Sequence, residues 1–112
     1  MVTATTEDLL KISRLTQREL DLMTGIFLQH PDIKRVVLFG SRAKGTAKPY
    51  SDIDLAVEGL DKELDIAAVA MELDELPLPY TFDVQSLDSL QHSPLQEHIN
   101  RVGITIYLKG RK

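Results

Sequence analysis

Residues 36–57 read VVLFGSRAKGTAKPYSDIDLAV, and this stretch decides the fold. Val36-Val37-Leu38-Phe39 is a short apolar run closed by a glycine, the pattern of a buried strand that ends in a turn. From Gly40 to Ser51 the composition shifts to Gly, Lys, Thr, Pro and Ser, a turn and loop of which part can open a helix. Ile53-Asp54-Leu55-Ala56-Val57, closed by Gly59, reads as a second strand. Side chains alternate across a strand, so Ile53 and Leu55 go to the core while Asp52 and Asp54 leave the other face side by side. Two like charges so close repel, which favours protonating one of them unless a cation lies between. Hard oxygen donors on a rigid strand suit Mg²⁺.

Asp83 adds to this pair. It lies in Thr81-Phe82-Asp83-Val84, another short strand-like run, where a buried carboxylate without a partner is costly. If sheet pairing brings it beside Asp52 and Asp54, three carboxylates form a site for two metal ions about 4 Å apart. Gly40-Ser41 follows the first strand directly. A glycine there lets backbone approach a phosphate, and the serine hydroxyl with the turn amides can hold its oxygens. This is not a Walker A loop, because Thr46 follows Gly45 where that loop needs lysine. Arg42, as a planar fork, and Lys44, as a point charge, are candidates to neutralise a triphosphate. Taken singly, each feature has an ordinary reading: solvent-facing aspartates, an edge-strand aspartate, a punctuating turn.

Working outward, Thr16-Gln17-Arg18-Glu19 has the form of a capping box, and Leu20, Met23 and Phe27 follow at helical spacing until Pro31 stops the helix near His30. Glu7 to Ser13 reads as a short helix within an N-terminal extension of residues 1–15. Lys62 to Leu76 carries Leu64, Ala67, Ala68, Met71 and Leu76 at helical spacing, ended by Pro77 and Pro79. Ser93 and Pro94 start a further helix that Gly103 ends, and Ile104, Ile106 and Leu108 alternate as a last strand. The order is helix, strand, strand, helix, strand, helix, strand. It predicts an α/β (α+β) fold with a mixed sheet of about four strands, packed with three to four helices. Strand order is not readable from pattern.

A chain of 112 residues, 43% hydrophobic, is expected to form one domain over residues 1–112. It has no cysteine, so disulfides and thiolate metal sites are excluded. No signal peptide or spanning apolar stretch is visible, and a cytoplasmic location is expected. The net charge of −4 argues against a surface built for nucleic acid, although Lys34, Arg35, Arg42, Lys44 and Lys48 crowd one window. His30, His92 and His98 fit no zinc spacing and read as surface or helix-end residues. Tyr50 reads as a base-stacking or core-covering loop residue, and Tyr107 has no role assignable from sequence.

Together, Gly40-Ser41, the spacer Arg42 to Ser51, Asp52-Ile53-Asp54 and the later Asp83 resemble the signature of the DNA polymerase beta-like nucleotidyltransferases. Within that superfamily the chain resembles the minimal nucleotidyltransferases, over about residues 16 to 108. The resemblance implies a polymerase beta-like palm in which Gly40, Ser41, Arg42, Lys44 and Ser51 bind a nucleoside triphosphate. Asp52 and Asp54 would hold two Mg²⁺ ions. Asp83 would hold the catalytic one and help to deprotonate the acceptor. It further implies an antitoxin that transfers AMP from ATP to a tyrosine of a helical HEPN toxin. Three rivals stand beside it: an antitoxin that neutralises by binding alone, a small-molecule transferase of the aminoglycoside-modifying kind, and a template-directed polymerase. The last is disfavoured by net charge and by the lack of thumb and fingers.

Overall fold

The computed structural model describes residues 13, 15–45, 52–90 and 93–110. The chain enters its first long helix through a capping box. The Thr16 hydroxyl accepts from the Glu19 amide at 3.1 Å, and the Glu19 carboxylate accepts from the Thr16 amide at 2.9 Å. Two orphan donors are thereby satisfied at the start of α1, Gln17–Leu28, which buries Leu20, Met23 and Phe27. Next come β1 (Arg35–Phe39), the single-turn α2 (Ser41–Lys44) and β2 (Ile53–Glu58). They are followed by α3 (Glu63–Asp74), β3 (Phe82–Ser86), a 3₁₀ turn (Asp88–Leu90), α4 (Pro94–Val102) and β4 (Ile104–Leu108). The predicted elements are thus present, and the 3₁₀ turn is an addition. The Glu7 to Ser13 helix lies outside the described residues except for Ser13.

The four strands form one mixed sheet in the order β3-β2-β1-β4. β1 is antiparallel to both β2 and β4, while β3 is parallel to β2. Two parallel neighbours require a crossover, and α3 supplies it. Alternation then sorts the strand residues onto two faces. Val36, Leu38, Ile53, Leu55, Val57 and Phe82 join the larger core under α1 and α3. Val37, Phe39 and Ala56 point the other way and pack with Leu87 and Ile99 of α4. At the far end of β1, Arg35 and Glu58 are register partners and form a cross-strand ion pair at 3.4 Å. The Tyr107 ring packs at 5.6 Å from that of Phe27, so this tyrosine is part of the core.

The spacing of Leu64, Ala67, Ala68, Met71 and Leu76 gives the helix but not its inner face: α3 buries Val69 and Leu73, with Ile66 and Leu76 packed beside them. Leu64 is 84% exposed and Met71 61%. The helix is apolar around most of its circumference, so spacing alone cannot choose its inner face. The choice is made by how the crossover lays it on β3. His30, just past α1, bonds Glu72 of α3 at 3.1 Å and ties the two helices together. No helix among the described residues is long and apolar enough to cross a membrane.

Candidate active site

Sheet register brings two of the three predicted carboxylates together. In the parallel pairing of β2 with β3, Asp54 stands opposite Asp83, with Ile53 opposite Phe82 and Leu55 opposite Val84. Parallel neighbours lie about 4.8 Å apart, and side chains opposite one another share a face. Ile53, Leu55 and Phe82 fill the core beneath, so Asp54 and Asp83 leave the face that α4 partly covers. Asp52, two residues before Asp54, is exposed at the mouth of β2 on that same side. Asp83 is exposed and Asp54 half-buried.

Burial, then the charge of Asp83, then that of Asp52, push the Asp54 carboxyl up from its ordinary value. The ionised form of Asp54 is therefore disfavoured where it stands. None of the three forms an ion pair among the described residues. The donors are all carboxylate oxygens, the set that hard divalent cations prefer, and a cation is what would relieve their repulsion. No three carboxylate or imidazole groups among the described residues converge at ion-holding distance. On donor chemistry, these residues fit Mg²⁺.

The turn after β1 is built against this cluster. Phe39 is the β1 partner of Asp54 in the antiparallel register, so Gly40 emerges directly beside that carboxylate. Gly40 has φ +76° and ψ −155°, a region open essentially only to glycine. A Cβ here would collide with Asp54 Oδ2 and lie 3.1 Å from its Cγ. The missing side chain thus gives the backbone the space beside Asp54. Ser41 opens α2, half-buried, and Lys44 closes it with an exposed side chain. Ser51, Lys48 and Tyr50 lie outside the described residues.

Arg42 is fully buried, its guanidinium lies 4.5 Å from the Tyr80 ring centre, and Nη1 donates to the Ser13 carbonyl at 2.8 Å. The Tyr80 hydroxyl in turn donates to Glu19 Oε2 at 2.7 Å. Burial raises the Glu19 carboxyl, but the Thr16 amide, the Tyr80 and Thr16 hydroxyls and the Arg42 charge outweigh it and hold the group below its ordinary value. The basic window also disperses: Lys34 precedes β1 and Lys44 follows its other end, while Arg35 is paired and Arg42 buried. Tyr80 and Glu19 were not singled out for this network by sequence. The signal available was a tyrosine three residues before Asp83, which is weak alone.

A mixed sheet with paired aspartates on adjacent strands, and a glycine turn packed against one of them, defines the palm architecture of polymerase beta-like enzymes. The chain belongs to the family described as polymerase beta nucleotidyltransferases, which it matches over residues 22–112. No curated relative matches it. Among solved structures, it is similar to a chain of a toxin–antitoxin complex with AMP-PNP. That match has a TM-score of 0.66 at 22% identity, covering 81% of this chain and 74% of the other. It is also similar to a chain of the toxin–antitoxin MntA-HepT, with a TM-score of 0.61 at 19% identity, covering 84% and 74%. At these identities the likeness is one of fold.

Proposed function

We propose that the chain is a Mg²⁺-dependent nucleotidyltransferase that moves AMP from ATP to a hydroxyl, the acceptor being a tyrosine of a HEPN toxin, and that it acts as an antitoxin. The observation that carries the chemistry is the register of Asp54 with Asp83 beside Gly40. Family membership supports nucleotidyl transfer as the reaction class. The toxin partner is supported by the similar folds solved in toxin–antitoxin complexes, one of them with the ATP analogue AMP-PNP.

In this reading Asp52 and Asp54 would hold two Mg²⁺ ions, and Asp83 would help to hold one of them. The ions, when bound, supply charge neutralisation and lower the pKa of the attacking hydroxyl. The Gly40–Ser41 turn accepts the triphosphate, with Lys44 as an exposed point charge, and Ser51 is kept as a further nucleotide ligand on the family resemblance alone. The acceptor oxygen attacks the α-phosphorus in line, and a carboxylate oxygen of Asp83 takes its proton. The bond to the bridging oxygen breaks and pyrophosphate leaves. The protein's part is to position these groups and set the charge around them.

The test is a transfer assay read by intact-protein mass spectrometry. The chain is mixed with Mg²⁺, each ribonucleoside triphosphate in turn and the HEPN protein of its own locus. Adduction of one AMP to the partner, lost in Asp54→Ala, is the expected result. A tight complex with no adduct at any nucleotide would overturn the catalytic part and favour neutralisation by binding.

A further inference from the structure

We propose that Arg42 is a positioning residue of the transfer site rather than a ligand of the triphosphate, and that its partner in this is Tyr80. The inference rests on the reading of the carboxylate cluster as a nucleotidyltransferase site. Its basis is geometric. Arg42 sits two residues beyond Gly40, whose backbone abuts Asp54, and Tyr80 sits three residues before Asp83. The guanidinium lies over the Tyr80 ring at 4.5 Å, which couples the turn after β1 to the lead-in of β3.

Each end of the clamp is anchored. Arg42 Nη1 donates to the Ser13 carbonyl at 2.8 Å, and the Tyr80 hydroxyl donates to the Glu19 carboxylate at 2.7 Å. Between Tyr80 and Asp83, the Thr81 carbonyl accepts from the Ile53 amide at 2.9 Å, so this lead-in also sets the register of β2 against β3. Tyr80 and Ala43 pack on the α1 and α3 side of the sheet, whereas Asp54 and Asp83 leave the opposite face. A fully buried guanidinium on that side is directed away from the carboxylates. Its planar fork and stacking face are the features that lysine lacks.

The test uses Mn²⁺ and AMP-PNP as probes on the full chain. Mn²⁺ affinity without nucleotide is read by electron paramagnetic resonance, and AMP-PNP affinity at saturating Mn²⁺ by titration calorimetry. Arg42→Lys and Tyr80→Leu are each expected to weaken Mn²⁺ binding about tenfold, as loss of supporting groups around metal ligands does. In the double variant the losses are expected not to add. AMP-PNP affinity should change by less than about threefold in either, against the tenfold scale of that metal effect. Tyr80→Phe keeps the ring and loses the Glu19 bond, so it serves as the milder variant and should fall between. The proposal is overturned if Arg42→Lys or Tyr80→Phe keeps Mn²⁺ affinity, or if Arg42→Met weakens AMP-PNP alone and lysine rescues it. If the wild-type chain binds neither probe, the nucleotidyltransferase reading itself fails. A failure confined to the variants sinks only the clamp.

Discussion

Gly40→Ala separates the geometry of the site from the stability of the fold. The new methyl would meet Asp54 Oδ2 in hard collision, with Cγ at 3.1 Å and Cβ at 3.4 Å. The backbone cannot relax easily, because φ +76° with ψ −155° lies in a region nearly closed to L-residues, at a cost of about 1–3 kcal/mol. In a domain of this size about 2 kcal/mol lowers Tm by roughly 10 °C. The carboxylate is the softer body, so it must swing aside by about 1 Å, a misplacement of the size that can cost about 10²-fold in rate. The expected result is therefore a folded protein with a reduced Tm and transfer near one per cent of wild type. Gly110→Ala is the control: φ is +82° with nothing within 4 Å, so backbone strain appears without a clash. It should retain full transfer. The assay is nucleotide transfer by mass spectrometry at 20 °C alongside thermal melting by circular dichroism. Full activity in Gly40→Ala, with or without a lowered Tm, would refute the claim that Asp54 acts from the position this turn protects.

Three further outcomes are expected. Asp54→Asn should raise the Tm of the metal-free protein at pH 7, measured in EDTA. The folded pKa of Asp54 is raised, so its ionisation costs stability as pH climbs through that value, and the gain should vanish below the unfolded value near 3.8. An unchanged Tm at pH 7 would show that the carboxylates do not strain one another. Leu64→Gln and Met71→Gln should each change unfolding free energy by less than about 0.5 kcal/mol. Leu73→Ala, by contrast, should cost about 2–5 kcal/mol in urea denaturation, because Leu73 is fully buried. Equal losses at Leu64 and Leu73 would reverse the assigned inner face of α3. Thr16→Ala should cost about 1 kcal/mol by removing the cap on the Glu19 amide, and a neutral result would show that the box is ornamental in solution.

Much of the architecture was legible because local signals agreed with it. The capping box at Thr16, the glycine after Phe39 and the Ser93-Pro94 start each fix a boundary by chemistry that acts within a few residues. The alternation in Asp52-Ile53-Asp54-Leu55 fixed the faces of β2. What was not legible depends on contacts distant in sequence. The parallel register of Asp54 with Asp83 is set by a crossover and could only be supposed from the sequence. The inner face of α3 was not legible because Leu64 and Met71 match helical spacing as well as Val69 and Leu73 do. The surroundings of Arg42 were hidden for a similar reason. A basic residue next to a phosphate-type turn looks like a ligand until its 29-residue reach to Ser13 and its stacking on Tyr80 are known.

Glu19 and Asp54, both displaced from their ordinary values, show how one small domain carries opposing demands. Glu19 is held below its ordinary value by hydrogen bonds and by Arg42, so its contribution to stability is present above its unfolded value near 4.5 and is lost as pH falls through the folded one. Asp54 is displaced upward, so its charge opposes folding at neutral pH. The first group lies in the clamp behind the sheet, and the second on its working face. Two carboxylates held in register without cations do not favour the empty fold, which has to be supported from elsewhere. The Arg42–Tyr80–Glu19 network, of which Arg42 is fully buried, stands behind the strand ends, where the proposed clamp would keep the turn and β3 in place. In the proposed reading, relief on the carboxylate face would come from a bound cation, so metal binding and folding stability should rise together in this chain.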